Sequence, residues 1–137
     1  LVIGTLNCEV PPGRSSEDFW REKRYDFFNK NRDNKKVIFG HHLDDVVETW
    51  IFSSLKGQSK IIPHERDWIL RPFLLNKKDD LYCRAEKYNV PFIEDESNIN
   101  NAYDRNYIRN IMMPHVLRIN PGIHKTLKKK LISKWRV

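Results

Sequence analysis

The stretch that decides the fold is VIFGHHLDDVVETWIFSSLKG, at residues 37–57. Its first three residues are apolar, which is typical of a short buried strand. A helical pattern follows over residues 44–56, and Gly57 lies just past its end, where glycine commonly terminates a helix. The stretch therefore predicts a strand that leads directly into a helix, which is the repeating unit of α/β proteins with parallel sheets.

Further strands and helices are predicted on both sides of this unit. Ser15 and Asp18 form a plausible capping box for the first helix, and Asn76 can cap the helix that follows a loop at residues 58–67. The alternation of the two kinds of element favours an α/β fold with a parallel sheet. The predicted strands are residues 1–8, 37–40 and 68–71, with an extended segment at 90–93. The predicted helices are Ser16–Asn31 and residues 44–56, 77–88, 104–113 and 123–135.

A block of histidines and acids, HHLDDVVET at residues 41–49, lies where the strand meets the helix. Ligands of open α/β sheets bind at the carboxyl ends of strands. Asp44 and Asp45 each share a helix face with Glu48. Such a group could hold Mg²⁺ or pair with an amine. The alternative is that the aspartates only favour a helix N-terminus through the macrodipole, and that the histidines only cap or line the strand end.

A second polar block, EDESNINNAYDRNYIR, covers residues 94–109. Its acidic half comes first, and Arg105 and Arg109 follow four residues apart, which places them on one face if this half is helical. Paired guanidinium groups suit a phosphate or a carboxylate. The alternative partners of the two arginines are the acids of the same block.

The net charge of +7 indicates a polyanionic partner, and the charge is concentrated at residues 123–137, which contain six basic residues and no acid. Apolar residues repeat every four positions there, which predicts a docked surface helix with solvated lysines. No run of 18 apolar residues indicates a membrane span. Cys8 and Cys83 form no CxxC pair, so reduced thiols in a cytoplasmic protein are expected.

Four motifs in this order resemble the tRNA(Ile)-lysidine synthetases of the PP-loop superfamily. They are HHLDDVVET at residues 41–49, RPFL at 71–74, the block at 94–109, and NPG at 120–122. The helix Ser16–Asn31, with Glu17, Arg21, Arg24 and Tyr25, is similar to a helix that precedes the strand in that family. The resemblance covers the chain to about residue 122 and implies an adenine nucleotide alpha hydrolase-like fold.

One departure from the family is large, because the Ser-Gly-Gly-x-Asp-Ser phosphate loop is missing and no two of the five glycines are adjacent. The resemblance therefore implies an incomplete doubly wound parallel sheet flanked by helices, with an unpaired apolar edge at residues 37–39. Residues 1–122 would be the C-terminal part of the PP-loop ATPase domain, and residues 123–137 a basic helix that begins a linker or further domain. We expect a piece of a larger protein or one half of a split one, completed in cis or in trans.

The resemblance implies a two-step ligation with ATP and Mg²⁺ as cofactors. ATP adenylates the C2 oxygen of the wobble cytidine of tRNA(Ile) and releases pyrophosphate. The amine of free L-lysine then displaces AMP at C2. The alternatives are a non-catalytic tRNA-binding module and another PP-loop enzyme that modifies tRNA.

The implied roles fall into three groups. The catalytic candidates are Asp45, Glu48, Arg105 and Arg109, with Asp45 also a candidate Mg²⁺ ligand. The substrate-binding candidates are His42, Asp44, Glu94, Asp95, Asn98 and Asn106. The tRNA-binding candidates are Lys125, Lys128, Lys129, Lys130 and Lys134.

Overall fold

The structure, a computed structural model, describes residues 3–5, 8–93 and 101–135. The described residues divide into two compact units, one formed by Leu1–Ile38 with Glu65–Leu70 and the other by Phe39–His64 with Arg71–Val137. The helices are α1 (Ser16–Asn31), α2 (Leu43–Leu55), α3 (Lys78–Lys87), α4 (Asp104–Tyr107), α5 (Met113–Ile119) and α6 (Ile123–Trp135), with a π-helical turn at Ile108–Met112. The strands are β1 (Val37–Ile38), β2 (Glu65–Arg66) and β3 (Ile69–Leu70).

The first unit contains α1 and a small sheet. The predicted bounds of α1 are confirmed, and the Ser15 hydroxyl accepts a hydrogen bond from the backbone N–H of Asp18 at 3.5 Å. This bond satisfies one of the N–H groups that a helix start leaves without a partner. The rings of Tyr25, on α1, and Trp68 lie 6.1 Å apart, so aromatic contacts join the helix to the strand region of the same unit.

The sheet has the strand order β1-β3-β2 and is mixed. β1 and β3 are parallel, with Val37 opposite Ile69, whereas β2 and β3 are antiparallel. The prediction of an all-parallel sheet is therefore wrong for β2, which lies within the loop predicted at residues 58–67. Only Asp67 and Trp68 join β2 to β3, and a connection this short can join only antiparallel strands. Asp67 has a φ of +54°, the left-handed conformation that such tight hairpin turns require.

The α/β class is confirmed, although the described strands are only two residues long. The predicted strand at residues 1–8 is not found where the structure describes it, because residues 3–5 and Cys8 lie in no strand. β1 forms one edge of the described sheet, and Ile38 is 65% exposed on it. The predicted apolar edge is therefore present on β1.

The core of the second unit is formed mainly by α2 and α6. Three apolar residues of the predicted stripe on α6, Ile123, Leu127 and Leu131, are buried, which confirms that this helix is docked. Gly57 has a φ of +74° just after α2, as expected for a glycine that ends a helix. The buried core cluster is Leu43, Val46, Val47, Ile51, Leu74, Ile108, Met113, Ile123, Leu127 and Leu131.

Two predicted helices in this unit differ from the structure. The helix at residues 104–113 is instead the succession of α4, the π-helical turn and α5, and it continues to Ile119. The N-cap of α3 is Lys77 rather than Asn76. The carbonyl of Asn76 accepts a hydrogen bond from the N–H of Leu43 at 2.8 Å, so Asn76 joins the starts of α2 and α3 instead of capping α3.

Candidate functional site

The first turns of α2 place three carboxylates in one region of the second unit. The carboxylate of Asp45 accepts a hydrogen bond from the backbone N–H of His42 at 2.8 Å, which closes the start of the helix. Asp44 precedes it in the same turn, where the helix dipole favours negative charge. Glu48 lies one turn further on, and its side chain is only 6% exposed, compared with 15% for Asp45 and 27% for Asp44.

Arg109 joins two of these carboxylates. Its Nε donates to Oε1 of Glu48 at 2.7 Å, and its Nη2 donates to Oε2 of Glu48 at 2.9 Å. Nη2 also lies 3.3 Å from Oδ1 of Asp45. The planar guanidinium thus binds Glu48 with two parallel bonds, the strongest arrangement for this pair of groups. The sequence pattern predicts a phosphate or carboxylate ligand, or the acids of residues 94–109, as partners of Arg109, and it does not predict the contacts with Asp45 and Glu48.

The π-helical turn determines where Arg109 lies. Arg109 is within Ile108–Met112, whereas Arg105 is half-buried in α4. A π-helical turn is wider than an α-helical turn and occurs frequently at functional sites. The expectation that Arg105 and Arg109 share one α-helical face rests on an α-helical period that this turn does not have. The catalytic role of both arginines stays a prediction.

Asp44 is held by two other helices. Its Oδ1 lies 2.9 Å from Nε2 of His124, the second residue of α6. Its Oδ2 accepts the backbone N–H of Lys78, the first residue of α3, at 2.8 Å. Nδ1 of His42 lies 3.5 Å from both Asp44 and Asp45. The structure thus joins the starts of α2, α3 and α6 through one carboxylate.

The motifs and spacings of the sequence do not single out His124. The available signal was its place beside Ile123 on the apolar stripe of α6, because a buried imidazole needs a polar partner. His124 is indeed buried. The identity of the partner, Asp44, could not be read from the sequence.

The environment shifts the pKa of three of these groups. Burial alone would raise the pKa of Asp44, but hydrogen bonds from His42, the Lys78 N–H and His124 outweigh it and hold the pKa well below its usual range. Burial raises the pKa of Glu48, and the bonds from Arg109 limit the rise. The hydrogen bond to Glu48 raises the pKa of Arg109, which therefore stays charged.

The cluster carries an excess of negative charge. Asp44, Asp45 and Glu48 contribute three negative charges when ionised, and Arg109 contributes one positive charge, so these four side chains carry a formal net charge of −2, a sum that does not include His42 and His124. An excess of carboxylates over guanidinium groups in a partly buried site favours a cationic ligand. Asp44 and Asp45 are the more exposed carboxylates, so a cation would meet them before Glu48.

Mg²⁺ fits this cluster poorly. Both oxygens of Asp45 already face donors, namely the N–H of His42 and the guanidinium of Arg109. Over residues 3–5, 8–93 and 101–135, no group of three or more histidine, cysteine, aspartate or glutamate residues is arranged to hold a metal ion. Mg²⁺ is usually held by one or two carboxylates together with substrate phosphates and water, so Mg²⁺ at Asp45 stays a prediction.

The remaining site predictions have different positions. Glu94, Asp95 and Asn98 lie outside the described residues, and Asn106 lies in α4. Lys125, Lys129 and Lys134 are exposed on α6. Two other lysines of α6 contact the rest of the unit: Lys128 donates to the carbonyl of Leu75 at 2.9 Å, and Nζ of Lys130 lies 5.8 Å from the Trp50 ring. The tRNA-binding role of these lysines stays a prediction.

Comparison with known families gives one match that covers most of the chain. The model of the PP-loop domain matches residues 2–116. The chain belongs to the PP-loop domain family. The carboxylate cluster with Arg109 therefore lies within the part of the chain that this PP-loop domain covers.

The curated relatives of this PP-loop domain include tRNA(Ile)-lysidine synthases. The synthase of Thermotoga maritima is 33% identical over 135 residues, which is 90% of this chain and 33% of that protein. The synthase of Francisella tularensis subsp. holarctica is 33% identical over 132 residues, or 88% and 33%. The synthase of Persephonella marina is 37% identical over 121 residues, or 83% and 26%. The resemblance indicated by the motifs is thereby confirmed.

This PP-loop domain spans about a third or less of the length of these relatives.

Among the described residues, no helix is both long enough and apolar enough to cross a bilayer.

Proposed function

We propose that this PP-loop domain contributes the amine-binding part of a cytoplasmic tRNA(Ile)-lysidine synthase, an ATP-dependent ligase that joins L-lysine to C2 of the wobble cytidine. The observation that carries the proposal is the net charge of −2 on Asp44, Asp45, Glu48 and Arg109. A lysine ammonium is a compact cation that such a cluster would attract. The likeness to tRNA(Ile)-lysidine synthases supports the same reaction.

Within this proposal, Asp44 and Asp45 meet the ammonium first because they are more exposed than Glu48. An amine attacks only after it loses a proton, so the site also needs a proton acceptor. The raised pKa of Glu48 makes it a better acceptor than an ordinary carboxylate. Glu48 is therefore the proposed general base, and Arg109 holds it in place.

The arginines would serve the other half of the reaction. Adenylation and the loss of AMP develop negative charge on phosphate oxygens, which fixed guanidinium groups stabilise. Arg109 has a 30% exposed side chain, so it can hold Glu48 and still meet a ligand. Arg105, one turn earlier in the chain, is the second candidate for this contact.

The exposed face of α6 would bind tRNA. Lys125 and Lys129 are four residues apart and exposed, so they share one side of the helix. Their charges suit phosphates of the tRNA backbone, which position the RNA without reading its sequence. The target cytidine would be unstacked from the single-stranded anticodon loop.

ATP, with Mg²⁺, would be bound chiefly by a phosphate-loop segment that the 137 residues do not contain. The test is ATP–pyrophosphate exchange with tRNA(Ile), measured for the chain alone and after joining it, in cis or in trans, with a polypeptide that carries the loop. The joined protein should exchange pyrophosphate and form lysidine, and the chain alone should do neither. Exchange by the chain alone would contradict the proposal.

The same experiment distinguishes the alternatives. Binding of tRNA with no nucleotide chemistry in the joined protein would indicate a non-catalytic tRNA-binding module. ATP–pyrophosphate exchange without attachment of lysine to the tRNA would indicate another PP-loop enzyme, which modifies tRNA with a different nucleophile.

A further inference from the structure

The contact between His124 and Asp44 joins the basic helix to the carboxylate cluster. Nε2 of His124 and Oδ1 of Asp44 are 2.9 Å apart, although the residues are 80 positions apart in the sequence. An ionised carboxylate can only accept hydrogen bonds, so Nε2 carries the proton and donates. The His124 side chain is 10% exposed, so little water competes for this bond.

Asp44 is fixed from two sides by this arrangement. The Lys78 N–H on α3 binds one oxygen at 2.8 Å, and His124 on α6 binds the other. A carboxylate held at both oxygens cannot rotate about its terminal bond without losing a hydrogen bond. If His124 were absent, Asp44 would keep only the bond at its Oδ2 side and the contact with His42.

We propose that His124 is a positioning residue for the amine site: its imidazole fixes the orientation of Asp44, and through Asp44 the shape of the carboxylate cluster that meets the ammonium. This inference takes its substrate, the lysine ammonium, from the proposed function. It takes the role of His124 from the geometry of the contact with Asp44. Lys125 and Lys129 lie on the exposed face of the same helix. RNA bound by these lysines would therefore contact α6, the helix that orients Asp44 through His124.

Two substitutions separate the hydrogen bond from the packing of His124. His124→Gln keeps an N–H donor near the position of Nε2, whereas His124→Leu fills a similar space and removes the donor. Leu127→Val is the matched control, because Leu127 is buried on the same helix and its truncation loosens α6 while removing no hydrogen-bond donor. All variants are made in the protein joined with the phosphate-loop polypeptide.

The first measurement is hydrogen exchange at the Lys78 amide, followed by NMR after labelling with ¹⁵N-lysine. This N–H is bonded to Asp44, so its protection reports how firmly the carboxylate is held. His124→Leu should speed its exchange about tenfold and His124→Gln by less than about threefold, because only the leucine variant removes the second hydrogen bond to Asp44. This measurement does not depend on lysidine formation. Equal exchange in wild type and His124→Leu, or equally fast exchange in Leu127→Val, would overturn the proposal.

The second measurement is the KM for lysine and the kcat of lysidine formation. Loss of positioning should raise the lysine KM about tenfold in His124→Leu, with recovery in His124→Gln. Leu127→Val should leave the KM for lysine at the wild-type value, even if its melting temperature falls by as much as that of His124→Leu. Faster Lys78 exchange with an unchanged KM would overturn the role in the amine site. A wild-type protein that forms no lysidine would instead overturn the proposed function, and the exchange result would still stand.

Discussion

Arg109 binds Glu48 through two parallel hydrogen bonds of 2.7 and 2.9 Å, across 61 positions of sequence. Glu48 is almost fully buried, and Arg109 contacts Asp45 as well. The ion pair therefore attaches the π-helical turn to α2 and also neutralises one charge of the carboxylate cluster. A residue with both tasks should affect stability and turnover separately, and this can be measured.

Removal of Arg109 should destabilise the protein, because Glu48 would be left buried without its counter-charge. We expect Arg109→Met to lower the free energy of unfolding by about 3 kcal/mol, and Glu48→Met in the same chain to recover about 2 kcal/mol. Urea denaturation of the single and double variants measures both values. Arg118→Met on the exposed end of α5 is the control and should have little effect. Additive losses in the double variant would contradict the pairing.

Glu48→Gln should impair catalysis while the fold is retained. An amide keeps the shape of the side chain but cannot accept the proton of the lysine ammonium. Lysidine formation by the joined protein should fall at least about tenfold, which corresponds to roughly 1.4 kcal/mol of barrier. Far-UV circular dichroism should not change. Wild-type turnover would assign Glu48 a purely structural role as the partner of Arg109.

The arginine of α4 and the lysines of α6 should differ in kinetic effect. Arg105→Ala should lower the maximal rate at saturating tRNA, because the predicted contact is with the reacting phosphate. Lys125→Ala with Lys129→Ala should mainly raise the tRNA concentration required and should reduce the salt dependence of binding by about one unit per lysine. Single-turnover kinetics at two salt concentrations compare them. If Arg105→Ala keeps the full rate and only binds tRNA more weakly, α4 is part of the tRNA-binding surface and Arg105 does not contact the reacting phosphate.

Lys128 and Lys130 should behave differently from Lys125 and Lys129. Lys128 donates to the carbonyl of Leu75, and Lys130 lies over the Trp50 ring, so both also hold α6 in place. Alanine at these two positions should lower the melting temperature, whereas alanine at Lys125 and Lys129 should leave it unchanged. Differential scanning fluorimetry of the two double variants tests this. Equal melting temperatures of the two double variants would contradict a role of Lys128 and Lys130 in holding α6 against the rest of the unit.

The pH dependence of stability should contain opposite contributions from Asp44 and Glu48. The folded pKa of Asp44 is depressed, so Asp44 stabilises the fold above its ordinary value of 3.8, and this stability is lost as the pH falls through the folded pKa. The folded pKa of Glu48 is raised above 4.5, so its contribution is present below that pH and is lost as the pH rises through the folded pKa.

Urea unfolding across the acidic range checks both signs. Asp44→Asn should flatten the loss of stability at the lowest pH values. Glu48→Gln should remove the decline above pH 4.5. Thr126→Ala, on the exposed face of α6, should leave the pH profile unaltered. An unchanged acid limb in Asp44→Asn would show that its hydrogen bonds do not depress its pKa.

The sequence by itself determined the local elements. The bounds of α1 and α6 follow from caps and from the spacing of apolar residues, and Gly57 follows from the conformation needed to end α2. Each of these signals depends on residues within a few positions of each other. The acids of α2 and the two arginines could be singled out for the same reason, since their types and spacing are local features.

Only the tertiary structure decided which of these groups meet. The sequence pattern indicated a phosphate or carboxylate ligand, or the acids of its own block, for Arg109, whereas the packing of the π-helical turn against α2 brings it to Glu48. In the sequence, His124 is only a polar residue next to the apolar stripe of α6, and the docking of α6 buries it and brings it to Asp44. The sequence pattern did not indicate β2, because its pairing with β3 depends on the two-residue turn that begins at Asp67. The contacts of Arg109 and His124 depend on the packing of helices that are distant in sequence, and no local pattern of residues encodes that packing.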